Sequence, residues 1–112
     1  MHGETASAAT TDWPQIVGLY DALLRVEPSP VIALNRAVAV AMRDGPEAGL
    51  ALIEPLLPSL GGYQPAFAAA AGLCRRAGRL QEAQTHYRTA AALARQEPER
   101  RFLLRRLAEV GG

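Results

Sequence analysis

The chain has 112 residues, enough for one domain with a two-layer helical core. Hydrophobic residues make up 49% of it but aromatics only 5%, so small and aliphatic side chains dominate and propensity favours helix along most of its length. With a net charge of +1, a single cysteine (Cys74) and no apolar run near the roughly 20 residues of a membrane span, the sequence argues against a disulfide framework, a multi-cysteine metal site and a transmembrane segment.

Residues 1–11 are small and polar without periodicity and read as a flexible lead-in to a helical domain over 12–112. Asp12 is a good N-cap, and Pro14 sits in a first turn where its missing N–H is tolerated. A first helix is predicted from about Trp13 to Val26, with Ile16, Leu19, Tyr20, Leu23 and Leu24 recurring at helical spacing. Pro28-Ser29-Pro30 closes it and opens a second helix, Pro30 to Arg43, stopped by Asp44-Gly45. A third helix runs from Pro46 to about Leu57, closed by Pro58 and Gly61-Gly62. The fourth runs from Tyr63 to Ala77, the fifth from Leu80 to Arg95, and the sixth from Pro98 to Val110. Connections this short make sequential helices antiparallel neighbours. No signal pattern precedes the first helix, so a cytoplasmic protein is expected.

Pairing the helices exposes a period. Phe67, Ala70, Ala71, Cys74 and Gly78 recur thirty-three residues after Leu34, Ala37, Val38, Ala41 and Gly45. Glu82-Ala83, Tyr87 and Ala90 complete the later unit, and Ala48 opens the second helix of the earlier one after a shortened turn. Small residues at such crossings let helix axes approach to about 8–10 Å. This bulky–small–glycine–small–aromatic pattern resembles the tetratricopeptide repeat (TPR). The resemblance implies an all-α, TPR-like α-solenoid of about six antiparallel helices: two and a half repeats plus a capping helix. Phe67 and Tyr87 are expected between its layers. The first helix then looks like the second half of a repeat. Trp13 and Ile16 are its expected exposed residues, facing a missing N-terminal part or a second copy in a homodimer through that helix.

Three stretches are more distinctive than a generic repeat: residues 11–24 (TDWPQIVGLYDALL), residues 28–41 (PSPVIALNRAVAVA) and residues 99–107 (ERRFLLRRL). Together they resemble the C-terminal extension of a group of bacterial extracytoplasmic-function (ECF) sigma factors, the group that carries a TPR-like domain after its promoter-reading regions. The resemblance covers about residues 12–110. It implies a regulatory, protein-binding domain supporting transcription initiation, with the sigma regions of the same protein, RNA polymerase or a regulator as partner. The promoter-reading regions themselves are absent from this chain. A stand-alone TPR adaptor for an unrelated protein is the alternative.

Catalysis finds little support in the residues. His2 lies in the lead-in, and His86 stands one turn after Glu82, a spacing typical of surface electrostatics. Cys74 falls on a core position and reads as a buried, inert thiol. No catalytic, cofactor-binding or metal-binding residues are assigned. Binding is better supported. By the TPR resemblance, Ile32, Asn35, Ala39 and Met42 line a protein-binding groove with Pro65, Ala68, Gly72 and Arg75. Asn35, an amide in an otherwise apolar helix, is expected on the wall to meet an incoming backbone.

The charge is lopsided: residues 1–74 carry 3 Arg against 7 acidic residues, and residues 75–112 carry 9 Arg against 4. The last helix concentrates this basic end, with Arg101 and Arg105 on one face and Leu103, Leu107 and Val110 on the other. Arg101 and Arg105 are the candidate basic contact face. Without aromatic interleaving or a groove-reading motif, sequence-specific nucleic-acid binding by this domain is not expected.

Overall fold

A computed structural model describes residues 11–111. The expectations for the lead-in and His2 fall, apart from Thr11, outside these residues. The described chain is all-helical, with no strand: α1 (Trp13–Val26), α2 (Pro30–Asp44), α3 (Pro46–Ile53), α4 (Gln64–Arg76), α5 (Leu80–Leu93) and α6 (Glu97–Glu109). Each helix packs against the next in sequence, and α2 also touches α4. None is long and apolar enough to cross a membrane.

Local chemistry sets the helix boundaries. The Asp12 carboxylate accepts from the Gln15 backbone N–H at 3.1 Å, and the Ser29 hydroxyl accepts from that of Ile32 at 3.3 Å. Both caps satisfy donors that the first turn leaves without intrahelical partners. Gly45 and Gly78 turn the chain at φ of 105° and 82°, a left-handed region that side chains disfavour.

The third element departs from the expected helix over 46–57. Its α-helical part ends at Ile53, and Glu54–Leu60 continues as a 3₁₀ helix, α3 remaining the label for the α-helical part. Pro55 has no N–H to donate to a carbonyl one α-turn back, and Pro58 repeats the defect one 3₁₀ turn later. The fifth helix ends at Leu93 rather than Arg95, and the sixth begins at Glu97, so Pro98 is its second residue.

The main core joins Leu34, Ala37 and Ala41 of α2 to Leu50 and Ile53 of α3. It continues through Ala66, Ala70, Ala71, Leu73 and Cys74 of α4, Ala83, Tyr87 and Ala90 of α5, and Leu103 and Leu107 of α6. The thirty-three-residue recurrence is visible in the packing. Ala37 and Ala70 are both 0% exposed, Ala41 and Cys74 are both buried, and Gly45 and Gly78 both take positive φ. Tyr87 is buried as expected, but Phe67 is only half-buried. It packs against the main core, with its ring 6.2 Å from that of His86.

A second, smaller core joins α1 to α2 through Val17, Ala39 and Val40, with Trp13, Ile16 and Tyr20 packed around them. The Arg36–Asp21 ion pair fastens the same two helices. Helix α2 is therefore buried on two sides, against α1 and against α3 and α4.

Candidate binding surfaces

The outer faces of α2 and α4 lie side by side, and Arg76 Nη1 of α4 comes within 3.6 Å of Met42 Sδ of α2. Asn35, Met42 and Pro65 are exposed on this surface; Ile32, Ala68, Gly72 and Arg75 are half-buried. Ala68, Gly72 and Arg75 follow one another at helical spacing along α4, with Ala68 also packed against the main core. A β-carbon at Gly72 would meet no atom within 4 Å, so the surface is open there. Beside it the Arg75 Nε is shielded from solvent and has no hydrogen-bond acceptor.

Two expectations change. Ala39 is only 3% exposed and packs in the smaller core towards α1, so it does not line this surface. The reason is the double burial of α2: a residue off one buried side falls onto the other. Asn35 is exposed and carries no penalty of an unpaired buried amide, so it is available to a partner for a simpler reason than the sequence suggested.

The face assigned to Trp13 and Ile16 is also corrected. Both are half-buried against Val17, Ala39 and Val40. The exposed apolar residues of α1 are Leu19, Leu23 and Val26, at 59%, 49% and 83%. The same 3–4 spacing that marked the helix also fits this outer stripe, which is why the pattern alone did not say which side packs inward.

At the C-terminal end, α6 buries Leu103 and Leu107, its C-cap Val110 is buried beside them, and Arg101 and Arg105 are exposed. Glu97 engages Arg100 at 2.8 Å and Arg101 at 3.5 Å, while Glu109 engages Arg106 at 3.0 Å. Arg106 also stands 5.3 Å above the Phe102 ring. Among the described residues, Arg105 has no carboxylate within 4.0 Å. Three of the four arginines of α6, Arg100, Arg101 and Arg106, are thus paired with carboxylates of the same helix, and Arg105 is not.

An open crevice of about 480 Å³, not anticipated from the sequence, lies where the N-termini of α4 and α6 meet the end of α5. Tyr63, Pro65 and Leu93 form its apolar wall, with Gln64, Arg95 and Glu99 around them. It joins two stretches of the chain, residues 62–65 and 93–99, and only Pro65 belonged to a surface expected beforehand.

The remaining reactive side chains are placed by packing. Cys74 is fully buried, and burial pushes its thiol up to about 11, which disfavours the nucleophilic thiolate. Burial lowers the pKa of His86, an effect opposed by Glu54 and Glu82. Among the described residues no three His, Cys, Asp or Glu side chains are grouped to hold a metal ion.

No family model and no solved structure matches the chain. An uncharacterized protein of Rhizobium meliloti (strain 1021) is 45% identical over 103 residues, covering 92% of this chain and 24% of that protein. The chain thus spans about a quarter of the length of the curated relative it matches.

Proposed function

We propose that the chain is a non-catalytic, TPR-like protein-binding domain of an ECF sigma factor, acting on transcription initiation through contacts with sigma regions, RNA polymerase or a regulator. The observation that supports the reading is the contact of α2 with α4, alternate helices of the chain. Alternate helices aligned in this way make the binding wall of a helical-repeat solenoid. The small residues Ala68 and Gly72 keep the wall open enough for an approaching helix or extended segment. The three sequence stretches similar to the sigma-factor extension supply the biological context. A relative about four times as long accords with a domain that works within a larger polypeptide.

The test is direct binding of the 112-residue chain to purified core RNA polymerase and to isolated ECF sigma regions, by calorimetry or biolayer interferometry. Saturable binding to one of them, weakened by changes at Asn35 or Arg75, supports the reading. Absence of binding to both redirects it towards an adaptor for another protein.

A further inference from the structure

Two arginines of α4 lack a counter-charge where the chain pairs their neighbours. Arg43, near the end of α2, holds Asp44 at 2.8 Å, and Arg79, just past α4, engages Glu47, Glu54 and Glu82. Arg75 and Arg76 form the last turn of α4, and among the described residues neither has a carboxylate within 4.0 Å. The Arg75 Nε is shut off from solvent with no acceptor. Arg76 Nη1 reaches only the Met42 thioether, 3.6 Å away and a weak acceptor. Helix capping does not account for this pair. The carbonyls of Leu73, Cys74 and Arg75 already accept from the backbone N–H groups of Ala77, Arg79 and Gly78, at 2.9, 2.8 and 3.2 Å. A shielded donor without an acceptor is rare in folded proteins, because its desolvation goes uncompensated. An acceptor brought by a partner supplies the compensation.

The charge of the surface identifies that acceptor. Helices α2 and α4 together contain Arg36, Arg43, Arg75 and Arg76 but a single acidic residue, Asp44. Asp44 is held by Arg43, and Arg36 by Asp21 of α1, so the unbalanced positive charge sits at Arg75 and Arg76. A guanidinium binds a carboxylate through two parallel N–H···O bonds, which suits it to a short Asp or Glu side chain. Gly72, one turn before Arg75, leaves open space that lets the carrier's backbone come close. A nucleic-acid strand fits less well, since no aromatic side chain of α2 or α4 is exposed for a base to stack on. Resting on the reading of this surface as protein-binding, we propose that the segment it takes is acidic, one carboxylate bound by Arg75 and a second by Arg76.

The experiment is fluorescence anisotropy of the 112-residue chain with two labelled peptides, one of alternating Glu and Ala and its Gln–Ala counterpart. The Glu peptide is expected to bind saturably and about tenfold more tightly than the Gln peptide. Arg75→Gln and Arg76→Gln should each weaken it by about tenfold, the loss of one charge-assisted hydrogen bond. Arg105→Gln, the same change of charge on α6, should leave it unchanged. Arg76 is exposed, so its variant keeps the fold even where Arg75→Gln disturbs it. Equal affinity for the two peptides, or binding of neither, overturns the proposal. So does an equal loss from Arg105→Gln, which reveals general charge attraction, and so does displacement of the Glu peptide by an equimolar thymidine oligonucleotide. The underlying reading is judged apart from this. If Asn35→Leu weakens binding of sigma regions or polymerase and the Arg75/Arg76 double variant does not, the protein-binding surface stands and the carboxylate assignment falls. If neither protein binds while the Glu peptide behaves as stated, the carboxylate site stands and the choice of partner falls.

Discussion

Gly49 of α3 lies so close to Ala41 of α2 that a β-carbon placed on it would fall 2.5 Å from the Ala41 Cβ. The same atom would come within 3.0 Å of the Ala37 carbonyl oxygen and 3.1 Å of Leu73 Cδ1 of α4. Three helices converge on this point, and backbone on one side leaves little room to yield. Gly49→Ala is therefore expected to destabilise the domain by about 1–3 kcal/mol, the cost of overpacking a filled core. Gly72→Ala is expected to act in the opposite direction. Its β-carbon meets open space, so the gain in helix propensity, about 0.5–1 kcal/mol, is retained. Urea denaturation of the two variants checks the sign; a matched response would show that the crossing at Gly49 is looser than described.

Core truncations should rank by burial. Leu50 and Ile53 are 1% and 0% exposed in the middle of the main core, and either one replaced by Ala should cost about 2–5 kcal/mol. Phe67→Ala should cost less, although it removes more atoms, because half-burial means that less contact is lost. Thermal melts of the three variants test the order.

Much of the fold was legible because its causes are local. Asp12 caps a helix through its own side chain, and Gly45 and Gly78 mark turns that need positive φ. What escaped depends on neighbours distant in sequence. Gly49 carries no local mark distinguishing it from an exposed helical glycine such as Gly18; its constraint comes from α2 and α4. Ala39 could not be assigned because a period of 3.6 locates one apolar stripe, whereas α2 has two buried sides. Pro55 was legible in principle, since a missing donor inside a helix ends it.

Stability should fall as the solution is acidified below the ordinary histidine range. Burial lowers the pKa of His86, so the folded state binds its proton less readily than the unfolded chain does. The neutral ring's full contribution is present above the unfolded value of about 6.5 and declines as pH falls through the folded value. His86→Gln should flatten the urea midpoint between about pH 7.5 and 5, above the window in which the paired carboxylates Asp44 and Glu97 are protonated. An unchanged profile in the variant would assign the pH dependence to other groups.

The two candidate surfaces for a transcription partner should respond differently to salt. Asn35 is exposed on α2, so Asn35→Leu should leave the fold intact while removing a short-range hydrogen-bonding group. If the α2/α4 wall holds the sigma regions or polymerase, that loss amounts to about 0.5–1.5 kcal/mol and persists from low to high salt. Arg101 and Arg105 act through charge, screened over about 10 Å at 0.1 M salt. Arg101 also keeps Glu97 within 3.5 Å, which leaves Arg105 as the stronger contributor. The double Ala variant should weaken binding mainly at low salt, and Arg105→Ala alone should account for most of that loss. Calorimetric titration of each variant at about 0.05 M and 0.5 M salt separates the cases, these concentrations lying on either side of the screening range. A salt-independent loss in the Arg variants would mean that α6 is needed for the shape of the surface rather than for its charge. No effect from any variant, with wild-type binding intact, would remove both surfaces and direct the search to the crevice at Tyr63 and Arg95.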